Sequence, residues 1–448
     1  MRSTRLVKSA VAGTIAATLL LVSACGSSDS TAGSSSSSSS AAPAASSADG
    51  STADTPAASG SEMAPASSSA APVAGGAELS VLIGSSGQVE TDALMSATDA
   101  WGKDTGNKVT VAPAQDLGQQ LAQGFSSNTP PDLFYVGADQ VANYAKADNI
   151  AQYADGLSNA SDFYPALKDS FTYDGKFYCA PKDMSTLALF INNDLWAKAG
   201  LTDADIPKNW DDLAKVAKKL TVNGVAGLAL APERDRIDAF LVQNGAYLTD
   251  DAGKITANDP KNVEALTFVK KMMTDGVVKT PAELSAGWAG EAFGKQAAAM
   301  TIEGNWLLGA MGKDFPTVKY TVAELPAGPT GTKGTLVFTN CWGISATTKF
   351  PEQAKALVEY LTGSDQQMTF AKAFGVIPSV ESAKDTYLKE FPKNKPFVDG
   401  VGYARGVVNF PGVTAELAEF NAQLQALATG DPQTILDDLQ KNLEAAIG

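Results

Sequence analysis

Histidine is absent from all 448 residues, and that absence removes more chemistry than any motif present supplies. Without it there is no Ser-His-Asp or Cys-His nucleophile system, no His-Glu-x-x-His zinc helix and no histidine general base. Phosphate cradles are also missing. The run "GPTGTKG" (328–334) has the wrong spacing for Gly-x-x-x-x-Gly-Lys and reads as a turn-rich loop, while "GVGYARG" (400–406) misses the dinucleotide pattern by one residue and reads as a flexible segment. In "TDDAGKIT" (249–256) the alternating acidic ligands and closing glutamate of a calcium loop are lacking, so a hairpin turn is expected. No metal or cofactor is expected. Among 49 acidic residues carboxylate pairs arise by accident, so they identify no glycosidase by themselves.

Cysteine is scarce, with three copies at 25, 179 and 341, and the first sits where a long apolar run stops. Arg2, Arg5 and Lys8 precede an uncharged run of 15 residues, 10–24, short of the roughly 18–20 that span a bilayer, which is the pattern of a secretory leader. The ending Val22-Ser23-Ala24-Cys25 resembles a lipobox, in which the cysteine is lipidated and becomes the new amino terminus; cleavage after Ala24 by an ordinary signal peptidase is the alternative. Acyl chains contribute about 0.8 kcal/mol per buried methylene, enough to hold a body at the cell membrane.

Residues 25–76 contain no aromatic and no basic side chain. Ser, Ala, Gly and Pro cannot offset the entropy of ordering, so this stretch reads as a disordered tether with a reach on the order of 40 Å. Formal net charge is −15, and loss of the three leader bases, with no acid among the first 25 residues, leaves −18. An acidic body of this kind excludes nucleic acid as a partner.

The remaining 77–448 is long for one compact unit, which points to two lobes. "LSVLIGSS", "NKVTVAP" and "PPDLFYVGAD" read as strands separated by amphipathic helices, an α/β pattern. Asp259-Pro260 and Asp431-Pro432 open helices with apolar faces, and Asn209 caps a third. Trp101, Trp196 and Trp210 fall on such helices and are expected in the core.

Taken together, "PDLFYVGAD", "DGKFYCAPKDMSTLALFINNDLWAKAGL", "PKNWDDL", "FLVQNGAYLTDDAGKITANDPKNVEAL", "EAFGKQAAAMTIEGNW" and "ELPAGP" resemble the family 1 extracellular solute-binding proteins, the maltose-binding-like receptors of ABC importers. The resemblance implies a two-lobed α/β periplasmic-binding-protein-like fold (type II) with hinge crossovers and a ligand cleft between the lobes. It places lobe one at 77–184 and 341–385, lobe two at 185–340, and carboxyl-terminal helices at 386–448 mainly on lobe two. Crossovers fall near 184–186 and 341–344. It implies a non-enzymatic, monomeric receptor at the outer face of the membrane that delivers an oligosaccharide to ABC permease subunits.

Sugars offer a C–H face to aromatic rings and a hydroxyl rim to carboxylates, amides and arginine. On the resemblance, Trp306 is the stacking tryptophan and Asp139, with Gln140 beside it, an acidic sugar contact. Trp288 and Trp342 stand in expected loop contexts and join the candidates. Glu233 matches a ligand-contacting glutamate, while Asp235 and Arg236 replace aromatic neighbours. Ser85, Ser86 and Gln88 form the first loop, and Asp183, Ser185 and Asn305 complete the set. The departures from the maltose-binding pattern leave the sugar open. A secreted carbohydrate-cleaving enzyme, or a receptor for a phosphodiester or polyol drawing on Arg234, Arg236 and Lys182, are the alternatives. Because crossover strands run side by side in this fold, Cys179 and Cys341 are expected to form a disulfide, which requires Cα atoms within about 7 Å.

Overall fold

A computed structural model describes residues 73–447; the leader, Cys25 and nearly all of the expected tether lie outside the described residues. The end of that tether belongs to the body. Val73 packs against the first hydrophobic core, and the Gly76 N–H donates to the Gly106 carbonyl.

Lobe one is built on a five-stranded sheet in the order 108–113, 78–83, 133–137, 340–344, 180–181. The first three strands are parallel, as strand–helix–strand connections require; strand 340–344 runs antiparallel to both its neighbours, 133–137 and 180–181. Helix Gln88–Thr105 covers the sheet through Leu94, Ala97 and Trp101, spaced to share one face.

Lobe two is built on a seven-stranded sheet around the strand Ser185–Asn192. All eight residues of that strand are buried, which is why the sequence reads there as a continuous apolar run rather than an alternation. Its side chains serve two cores. Leu187, Leu189 and Ile191 point into the lobe-two core, whereas Ala188 and Phe190 join a core continuous with lobe one. Trp196 and Trp210 lie in the lobe-two core as expected, Trp210 stacked on Phe268 at 4.6 Å.

The chain changes sheets between Pro181 and Ser185. It changes back at Thr339, a little before the stretch expected from sequence, because one residue separates Thr335–Phe338 in lobe two from Asn340–Ile344 in lobe one. Cys179 and Cys341 are disulfide-bonded with Cα atoms 5.5 Å apart, beside the pairing of Cys341 with Pro181. After 385 the chain divides its contributions: Tyr387, Phe397 and Val398 enter the shared core, and Leu417, Phe420, Leu436 and Leu443 the lobe-two core.

The run 400–406 corrects its reading as a flexible segment. Residues 401–403 form a 3-10 turn and Ala404–Arg405 a short strand paired with Thr335–Leu336. At Gly400 an added Cβ would come within 2.8 Å of the Thr186 hydroxyl, so glycine is there for close approach rather than for motion. The 249–256 stretch is a hairpin turn, as expected, with Asp250 accepting from the Ala252 and Lys254 N–H groups. Asn209, likewise, caps its helix through Asp212 N–H.

Candidate functional site

The two crossovers place strand ends and helix starts from both lobes around a cleft of about 470 Å³. Larger or similar hollows exist on lobe two, of about 710 and 430 Å³, but neither contains any of the predicted residues. What distinguishes the cleft is its lining. It gathers Ser86, Asp139, Asp183, Ser185, Asp235, Asn305 and Trp306 from stretches more than 200 residues apart in sequence.

On the lobe-one wall the charged groups are linked. Glu90, in the first turn of helix Gln88–Thr105, takes four hydrogen bonds: Tyr135 hydroxyl (2.9 Å) and Lys182 Nζ (3.1 Å) at one oxygen, and Ser86 N–H and hydroxyl (both 2.7 Å) at the other. Lys182 also pairs with Asp183, and its ammonium lies 4.8 Å from the Tyr135 ring centroid. Burial pushes the Glu90 carboxyl up, but Lys182 and Ser86 together overcome it and leave Glu90 below its ordinary value. The balance at Asp183 is opposite: burial raises it, Lys182 offsets only part, and Glu90 adds to the rise. Burial pushes Lys182 down, yet the two carboxylates outweigh it and hold the ammonium above its ordinary range.

On the lobe-two wall, strand Ala298–Gly304 delivers Glu303 beneath Trp306. Glu303 Oε2 receives the Trp306 indole N–H at 2.9 Å and Arg236 Nη2 at 2.7 Å. Arg236 lies 5.2 Å from the Trp306 ring centroid, and Phe338 meets the ring edge-on at 5.4 Å. The ring lies across Gly304, where an added Cβ would come within 2.1 Å of it. With back and edge fixed, Trp306 remains 38% exposed toward the cleft. Burial raises Glu303 above its ordinary value against the opposing pull of Arg236 and the indole.

The other predicted residues occupy different places. Trp342 is in the middle of a strand rather than a loop, flanked on both sides by neighbouring strands, 2% exposed and edge-on to Tyr135 at 4.8 Å. It backs the Lys182 group from inside lobe one, and Asn340, two residues earlier, reaches the cleft in its place. Trp288, half-buried, precedes helix Ala289–Gly294 and folds its ring over Gly290. Arg236 stands behind Trp306 instead of lining the cleft. Glu233 occupies the N-cap position of helix Arg234–Gln243 without capping it, Ser85 is tied to Gly87 and Thr91, and Gln88 to Asp92. Gln140 donates to Thr414 at 3.1 Å, across to the carboxyl-terminal segment.

Glu90, Asn340, Phe338 and Phe374 line the cleft without having been expected there, and Lys182 and Arg234, expected only as phosphate ligands, line it too. The partnership of Glu90 with Lys182, 92 residues away, has no local signal in the sequence.

Among the described residues no helix is long and apolar enough to cross a membrane. In sequence the chain is 27% identical over 351 residues to a Brucella abortus protein named only as a binding protein, covering 75% of this chain and 84% of that one. It is 23% identical over 380 residues to the galactooligosaccharide-binding protein of Bacillus subtilis, covering 80% and 87%. In fold it matches an ABC substrate-binding protein of Listeria monocytogenes in complex with cycloalternan, with a TM-score of 0.71 and 24% identity over 83% of this chain and 99% of that one. The two-lobed maltose-binding-like architecture is thereby shown. The model of the bacterial extracellular solute-binding proteins matches residues 87–368, more than half of the chain, and the protein belongs to that family, whose place is outside the cytoplasm.

Proposed function

We propose that the protein is a non-enzymatic receptor that closes around an oligosaccharide and presents it to an ABC permease, held to the membrane by a lipid on Cys25. The observation that carries this reading is Trp306: an aromatic face fixed from behind by Glu303 and Arg236 and offered to a cleft edged with Asp139, Asp183 and Asp235. That is the pairing of apolar platform and acceptor rim that a sugar ring needs. The galactooligosaccharide and cycloalternan named for its relatives are of the same class. Ligand contact from both lobes would favour the closed form, since a ligand shifts a conformational equilibrium only through its differential affinity.

Two cleft carboxylates, Glu90 and Asp183, share Lys182, which suits them to holding charge rather than to the acid-and-nucleophile division of a glycosidase. The test is a panel of oligosaccharides titrated into the tag-free mature body, read by tryptophan fluorescence and thermal shift. A ligand at a hundredfold excess over its dissociation constant should stabilise by about 2.7 kcal/mol. No shift with any sugar would overturn the saccharide reading, and release of cleavage products would favour the enzyme.

A further inference from the structure

The formal charges lining the cleft do not balance: Glu90, Asp139, Asp183 and Asp235 stand against Lys182 and Arg234. The two cations are both engaged. Lys182 lies between Glu90 and Asp183, and Arg234 Nη1 is 3.3 Å from Asp235 Oδ1. Arg236, behind the wall, is taken by Glu303. The acceptors are not used up in the same way. Among the described residues, the Asp139 carboxylate receives no hydrogen bond, and Asp183 receives one only at Oδ2, from Lys182. Asp183 is nonetheless withdrawn from solvent, its side chain 13% exposed.

From this we infer that the cleft selects its saccharide by charge, taking neutral or amine-bearing sugars and rejecting acidic ones. The inference rests on the saccharide reading above and narrows it. An anionic sugar would have to draw Lys182 or Arg234 away from a carboxylate already beside it, and leave that carboxylate facing another negative charge in a partly desolvated space. A hydroxyl or ammonium donor needs no such exchange, because it meets acceptors that are already free.

The experiment titrates the mature protein, by calorimetry at low salt, with trimers matched in length: maltotriose and cellotriose as neutral probes, the glucosamine trimer as the cationic one and trigalacturonate as the anionic one. Trigalacturonate should bind at least tenfold more weakly than the best of the other three, and raising the salt should narrow that gap by screening. An acidic trimer within tenfold of the best overturns the inference while the saccharide reading stands. Binding by none of the trimers overturns the inference, and if no sugar of the wider panel gives a shift either, that reading falls with it. The double variant Asp139→Asn, Asp235→Asn, both at partly exposed positions, should shrink the discrimination at least threefold with far-ultraviolet circular dichroism unchanged. A smaller change in a folded variant would remove these two carboxylates as its source.

Discussion

On the lobe-one wall a single ammonium, Lys182, stands between two carboxylates; on the opposite wall Arg236 and Glu303 pair one to one beneath an aromatic ring. The second arrangement is closed. Its charges cancel, and one oxygen of Glu303 holds both the Trp306 indole N–H and the Arg236 guanidinium, which fixes the ring from behind. The first is open, with an oxygen of Asp183 left over at the cleft, and on the proposed function that oxygen is the one available to a ligand. The number of partners, rather than the mere presence of a buried ion pair, separates a supporting network from a contacting one.

The strongest way to break this comparison is Lys182→Met, which leaves Glu90 and Asp183 facing each other without a counter-ion. Loss of one member of a buried pair costs about 3–5 kcal/mol, and denaturant unfolding should show a drop of that size at neutral pH. The variant's two carboxyls would then titrate above their unfolded values. Its deficit should therefore be fullest at higher pH and shrink on acidification, when protons replace the ammonium; a pH-independent deficit would refute the charge argument.

Helix Arg234–Gln243 sharpens the contrast, since it carries Arg236, paired with Glu303, and, two residues on, Asp238, a 1% exposed carboxyl with no partner at either oxygen among the described residues. Burial pushes Asp238 up to about 8, with Arg234 opposing and Asp235 adding to the rise. The folded protein thus keeps a proton that the unfolded chain releases near 3.8. Stability from this group is full below the lower value and is lost as pH rises toward the upper one, by up to about 1.4 kcal/mol per unit. Asp238→Asn should flatten that slope and gain a few kcal/mol near pH 7, as read by unfolding at pH 5 and pH 8.

Trp306→Ala tests what the lobe-two network is for. Removal of the ring should weaken sugar binding by roughly 1–3 kcal/mol, about ten- to hundredfold, with little change in the unliganded melting temperature. Unaltered affinity would move the site elsewhere. The smallest effect is expected at Asn305, which donates from the lobe-two wall to the Gly375 carbonyl on the other side at 2.8 Å. Asn305→Ala should cost about 1 kcal/mol of stability, visible as a modest fall in denaturation midpoint.

Elements whose cause is local could be read in advance. The Pro-started helices, the Asn209 cap and the 249–256 turn depend on residues within a few positions of one another, and all are present as read. The core tryptophans on helices followed the same logic. Trp342 did not: expected in a loop beside the crossover, it lies within strand Asn340–Ile344. Trp288 does stand in a bend, as expected, but its ring folds back over Gly290. Of the candidate site, the residues at strand ends were legible through the family pattern. Its hidden half, Glu90 under Tyr135 and Glu303 under Trp306, depends on which sheet neighbours face which, and no local pattern encodes that.

The bond between Cys179 and Cys341, 162 positions apart, makes a covalent ring of the excursion that builds most of lobe two. The strand Ala404–Arg405 and the helices Val413–Leu424 and Pro432–Ile447 join that lobe from a tail outside the ring. A single peptide-bond cut inside the ring, for instance in the exposed stretch 329–333, would leave both new ends attached to one molecule. For a solute-binding protein outside the cytoplasm, a protease nick there opens a loop but does not release a lobe.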